Sequence, residues 1–245
     1  MVPSWRQNLP TLVGLSIPLG VTAWSIAAYL HPKRLDVLMR GIHQLADGSY
    51  FVEPSSRSIM EVGMTGQLLI DLALITALLL LVSFWERKGL ASVGLRWPSG
   101  RDLVATVAVC LLWFPIVIAI GMLLPVSLQA DQRGLAALVA LPLWLRLLLL
   151  LISPFQEELL FKAYLIERVE KLTGSTWLAF GVSVLSNTLA HLTLWGGGAL
   201  ASIAPGIAIL SGFYIWRRNL PASTALHVVA DSPIVWLPIL LSRWR

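Results

Sequence analysis

The chain is written as long apolar runs with short polar interruptions. Seven stretches, near residues 11–31, 65–85, 103–125, 137–165, 175–195, 198–216 and 221–241, are dominated by Leu, Ile, Val, Ala and Trp. A helix needs about 20 residues, at ~1.5 Å of rise each, to cross the hydrocarbon layer, and the runs are of that order. They are continuously apolar instead of alternating with a period of two, which predicts helices and excludes a closed barrel. The expected fold is all-α: a polytopic transmembrane helical bundle of about seven spans, making a single integral-membrane domain over residues 1–245. After the first run, Leu35 to Ala46 begins amphipathically and runs into a polar stretch, which predicts a cap or loop in the interface.

Composition sharpens this picture. Of 245 residues, 57% are hydrophobic and only 13% charged, and mean hydropathy is +0.77, well outside the mix of soluble domains. Trp85, Trp97, Trp177, Trp195, Trp216 and Trp244 fall where runs end, as expected of rings held at the headgroup level. The formal charge of +5 reads as positive-inside topology. No basic stripe with interleaved aromatics accompanies it, so no nucleic-acid partner is expected. Arg87, Lys88, Arg96, Arg101, Arg168, Lys171, Arg217 and Arg218 fall on one expected side, the cytoplasmic one, and Arg133, Arg243 and Arg245 on the other. Lys33, Arg34, Arg40 and Arg57 pull against that orientation. The first run is longer than a typical leader h-region and basic residues follow it, which favours a retained span. Cys110 is the sole cysteine, so an intrachain disulfide is excluded.

Charge inside the apolar runs is the informative feature, because each such group at mid-membrane costs roughly 2.5–3.5 kcal/mol and needs a partner, water or an interfacial escape. Arg146 lies ~16 Å along the helix from Glu157, far enough to snorkel to an interface. Asp71 is expected to accept a hydrogen bond or to pair with an arginine such as Arg146. Glu158 and Lys162, four apart, are spaced to share their burial as an ion pair. Glu157 points about 100° away and has no local partner, which suits a group that takes a proton from water and returns it to a leaving amine. Asn187 and His191 share one helical face, and His227 and Asp231 another. Three helices thus carry polar groups able to face inward.

These residues resemble the CPBP intramembrane proteases, also called the Abi or type II CAAX prenyl protease family, whose pattern is EExxxR, FxxxH and HxxxN or HxxxD. Here the three parts read EELLFK (Glu157 to Lys162), NTLAH (Asn187 to His191) and HVVAD (His227 to Asp231). The resemblance covers a protease-like core at 141–238, and GFYIWRRNLPASTALH and VGLRWPSGRDL reinforce it. Lys162 stands for arginine, Asn187 for phenylalanine, and Ala163 where glycine usually follows. Lysine keeps the charge but loses the planar two-point grip on a carboxylate.

What the resemblance implies is intramembrane peptide-bond hydrolysis, with Glu157 and His191 activating a water and His227 and Asp231 facing the oxyanion. The supporting residues would be Glu158, Lys162 and Asn187. An ionised aspartate donates nothing to an oxyanion, so either Asp231 is protonated or it orients His227 as a charged donor. Glu157, His191, His227 and Asp231 would also make a zinc set with an open position, although a metal-free glutamate mechanism with no cofactor is favoured. HExxH and GxSxG are both absent. The expected partners are the lipid bilayer and a membrane-anchored or lipid-modified peptide or protein substrate, such as a sorting tail, leader or anchor. The expected location is a bacterial plasma membrane. Two other classes compete: a non-proteolytic immunity or scaffold protein using the same bundle, and a proton-coupled transporter, which the lack of an inverted repeat disfavours.

Overall fold

In a computed structural model, which describes residues 4–31, 41–45, 50–123, 132–197 and 199–236, the apolar runs become helices. Helix α1 (Ser4–Leu30) is followed by a short antiparallel hairpin, β1 (Ile42–Gln44) and β2 (Tyr50–Val52), paired Ile42 to Val52 and His43 to Phe51. Then come α2 (Pro54–Leu80), α3 (Gly100–Leu123), α4 (Gln132–Ala140) and α5 (Leu143–Glu157). A wide π-helical segment, Glu158–Tyr164, carries α5 directly into α6 (Leu165–Thr173). The chain ends its described part with α7 (Thr176–Ala190), the single turns α8 (Leu192–Trp195) and α9 (Ala199–Ser202), α10 (Ala204–Arg217) and α11 (Leu220–Asp231).

The protein is an integral membrane helical bundle, but length and apolarity do not reproduce seven full spans. Asn8–Leu30, Pro54–Trp85 and Gly100–Ile120 can cross a membrane, and Arg133–Ala140 with Leu143–Thr173 adds a fourth if that pair, bent by 118°, counts as one. The later helices are shorter for local reasons. Ser175 caps α7 by accepting from the Leu178 amide, and Asn219 caps α11 by accepting from the Ala222 amide, so a polar residue fixes the start of each helix. The α7 run then turns at His191 instead of continuing to residue 195. At 15, 14 and 12 residues, α7, α10 and α11 reach only ~18–23 Å. The expected interfacial stretch from Leu35 lies largely outside the described residues, and its described end, Ile42–Gln44, is a strand. Trp97, in the loop before α3, and Trp177, in the first turn of α7, are both exposed, at 93% and 83%.

The π-helical segment is the axis of the fold. Leu159, Leu160, Phe161, Ala163, Tyr164, Leu165 and Ile166 are all buried, against Leu78 and Val82 near the end of α2, Ala179 of α7, Tyr214 of α10 and Leu220 of α11. A helix apolar all round is a buried one. Within lipid, close packing and interhelical hydrogen bonds hold such a segment, since lipid tails are as apolar as leucine.

Helix α1 docks on this axis through polar contacts. The Thr11 hydroxyl donates to Glu86 at 2.9 Å, the Tyr164 hydroxyl donates to the same carboxylate oxygen at 2.9 Å, and the Thr22 hydroxyl donates to the Ser186 carbonyl at 3.0 Å. Between them Gly14 lets Tyr164 reach across, because a Cβ there would strike its hydroxyl and ring. Gly14→Ala is therefore expected to destabilise the detergent-solubilised protein by about 1–3 kcal/mol through overpacking. Thermal unfolding checks this, with Gly20→Ala as the control because a Cβ at Gly20 meets nothing within 4 Å.

The basic residues expected on one side do gather at one end of the bundle. Arg96 and Arg217 both pair with the buried Asp102, at 3.2 and 2.7 Å, and Arg168 pairs with Glu86 at 2.6 Å. Arg218, in the left-handed region at φ 48°, pairs with Glu167 and Glu170. Burial alone would raise the Glu86 carboxyl, but hydrogen bonds and charge from Arg168, with the Thr11 and Tyr164 hydroxyls, hold it below its ordinary value. A carboxylate depressed on folding stabilises the fold above the unfolded pKa, and that contribution fades as pH falls through the folded pKa. The gap in unfolding midpoint between wild type and Glu86→Gln is accordingly expected to be full near neutrality and to close below about pH 4. A pH series of melting curves reads it directly.

Candidate active site

The site is assembled where α5 passes into the π-helical segment, opposite α7 and α11. Pro154, three residues before Glu157, cannot donate to the preceding turn, and the helix widens directly afterwards. A wider turn reduces the angular step between neighbours, which lets the adjacent Glu157 and Glu158 both address the interior. π-turns of this kind recur at functional sites.

Glu158 is fully buried and is the hub of the deep half. Lys162 Nζ lies 3.0 Å from its Oε1, on the same helix. His227 Nδ1–H donates to Oε1 at 2.9 Å, and the Ser223 hydroxyl donates to Oε2. The Glu158–Lys162 pair is thus as the spacing predicts, yet it is also the joint to α11. Ser223 was not singled out from sequence. The signal was present, since Ser223, His227 and Asp231 recur at four-residue steps on one face of α11.

The shallow half is more open. Glu157 and His191 side chains are 19% and 20% exposed, and Glu157 Oε2 lies 3.6 Å from His191 Nε2. His191 Nδ1 sits 2.8 Å from the Asn187 carbonyl. A carbonyl only accepts, so Nδ1 carries a proton, and in the neutral form of the ring Nε2 is an acceptor facing Glu157. Two acceptors therefore face each other across a gap too long for a direct hydrogen bond. Asp231, 45% exposed, lies 3.5 Å from His227 Nε2 and so brackets that ring opposite Glu158. Glu157 is within electrostatic reach of His191, His227 and Asp231.

The remaining charges fall outside this cluster. Asp71 accepts from Gln67 at 2.8 Å and from the Ser153 hydroxyl at 2.9 Å, so it is a hydrogen-bond acceptor and not an arginine partner. Arg146 is buried and donates to the Ile234 carbonyl at 2.9 Å and more weakly to that of Val235. The chain beyond α11 offers these carbonyls at a helix end, where acceptors go unpaired within the helix.

Four buried atoms on three side chains at the site lack hydrogen-bond geometry to any described residue: Glu157 Oε2, Lys162 Nζ, and both Asn187 amide atoms. The Lys162 contact with Glu158 is an ion pair lacking hydrogen-bond alignment. Each such atom costs about 1–3 kcal/mol unless water or a ligand meets it. As to zinc, among the described residues no three His, Cys, Asp or Glu side chains converge as a metal site. Within the four-residue set of Glu157, His191, His227 and Asp231, Glu157 lies 3.6 Å from His191 and His227 lies 3.5 Å from Asp231.

A family model described as type II CAAX prenyl endopeptidase Rce1-like matches residues 139–232. No match was found among curated proteins or among solved structures. The matched stretch runs from the end of α4 through α11 and contains all seven candidate residues, Glu157, Glu158, Lys162, Asn187, His191, His227 and Asp231. Helices α1, α2 and α3 lie outside it and pack around it, α1 against α7 and α2 against α5.

Proposed function

We propose that the Rce1-like domain is an intramembrane endopeptidase of the glutamic type that hydrolyses a peptide bond of a membrane-associated substrate, metal-free. The observation that carries this reading is the 3.6 Å gap between Glu157 Oε2 and His191 Nε2, two acceptors suited to one water that donates to both. The water oxygen attacks the scissile carbonyl carbon, its proton passes to Glu157, and the carbonyl electrons move onto oxygen. When the carbon–oxygen double bond re-forms, the carbon–nitrogen bond breaks and Glu157 returns the proton to the departing amine. The products are a carboxyl and an amine terminus.

The oxyanion needs donors. His227 lies between the carboxylates of Glu158 and Asp231, an environment that favours a ring protonated at both nitrogens. Asp231 then serves to aim His227 as a charged donor, in place of the neutral donor it cannot supply as a carboxylate. Glu158, Lys162 and Ser223 hold His227 from behind. The half-exposed Asp231 marks the side from which a substrate backbone reaches the water.

The test is hydrolysis by the full chain in detergent or lipid, using an internally quenched farnesylated CAAX peptide and an unprenylated apolar peptide. Wild type is expected to cleave at least one of them, with activity lost in Glu157→Gln, His191→Ala and His227→Ala and retained in the presence of chelator. Cleavage undiminished in all three variants would sink the reading and leave a bundle whose polar cluster serves packing alone.

A further inference from the structure

Asn187 has an unusual environment for a carboxamide. It is fully buried, yet among the described residues neither Nδ2 nor Oδ1 has a hydrogen-bond partner. Its place on α7 gives the direction it faces. Ala179, Ser183, Asn187 and His191 follow one another at four-residue steps, so they line one stripe of the helix. Ala179 is in the core around the π-helical segment, and Ser183 meets the Ser211 hydroxyl of α10 at 3.2 Å. His191 addresses Glu157. Asn187 lies on that inward stripe, one turn before His191, and its own backbone carbonyl fixes the His191 ring.

A free carboxamide offers a donor and an acceptor side by side, which is the complement of the acceptor and donor of a peptide group. We propose that Asn187 is a substrate-binding residue whose Nδ2–H donates to a backbone carbonyl, and whose Oδ1 accepts from a backbone N–H, of the substrate segment flanking the bond that is cut. The inference rests on the endopeptidase reading and adds to it the group that holds the peptide main chain. It also explains how a sequence-tolerant grip is built in a site whose other groups are ionisable: a neutral amide reads the backbone whatever the side chains.

The experiment measures affinity of the farnesylated CAAX peptide for the full-length Glu157→Gln protein in micelles, with and without Asn187→Leu. Two lost hydrogen bonds predict binding weaker by about tenfold. A peptide N-methylated next to the scissile bond should bind the Asn187-containing protein more weakly than the parent peptide, and the two peptides should bind Asn187→Leu alike. Because the carboxamide has no partner among the described residues, Asn187→Leu should melt at the wild-type temperature or above it, and KM for cleavage should rise in the Glu157-containing protein. A lowered melting temperature, or peptide affinity unchanged by Asn187→Leu, overturns the proposal. Cleavage by wild type with unaltered binding removes this inference alone, whereas no binding of the peptide by the Glu157→Gln protein removes it together with the endopeptidase reading.

Discussion

Glu157→Gln is expected to lower kcat for peptide cleavage by at least about a thousandfold, within the ~10²–10⁴ contribution of a positioned proton-transfer group. The fold should be untouched. The substitution keeps the shape of the side chain, and Glu157 Oε2 has no hydrogen-bond partner among the described residues to lose. Its contact with His191 is long, at 3.6 Å, and partly open. Melting temperature and peptide affinity should therefore match wild type while turnover disappears. Adding His191→Ala to Glu157→Gln should cost little more, because groups that act on one water as a unit are not additive. Multiplying effects in the double variant, or a Glu157→Gln protein that still turns over, would mean that the carboxylate does not take the proton.

The parts of this site that sequence reveals are those set by spacing within one helix. Glu158 with Lys162, Asn187 with His191, and His227 with Asp231 each sit four apart, and a helix brings such residues to one face whatever the tertiary structure. Contacts between helices carry no such signature. That His227 would meet Glu158, and Ser223 with it, depends on how α11 docks on the π-helical segment. Arg146 illustrates the same limit: distance along its own helix suggests an escape to the interface, and only packing brings the carbonyls of Ile234 and Val235 within reach. Span count fails for another reason. Hydropathy sees a continuous apolar run to residue 195, while the turn at His191 ends α7 at Ala190.

Glu158 should behave in the opposite way to its neighbour, and Glu158→Ala is expected to be the most damaging substitution to stability. It would leave Lys162 as a buried cation without its Glu158 partner, and would strip the acceptor from both His227 Nδ1 and the Ser223 hydroxyl. Removing one member of a buried pair costs about 3–5 kcal/mol, because the remaining charge is uncompensated. For a chain of this size that is a fall in melting temperature of about 6–20 °C. Lys162→Met should cost less, since Glu158 keeps two hydrogen-bond donors from α11. The double substitution Glu158→Gln with Lys162→Met removes both charges while preserving volume and an acceptor for Ser223 and His227, so it should melt well above Glu158→Ala. Melting curves of the three proteins in one detergent decide the matter. If Glu158→Ala melts like wild type, the carboxylate is not the joint between the π-helical segment and α11. If the double variant melts no higher than Glu158→Ala, the uncompensated Lys162 charge is not what the single substitution exposes.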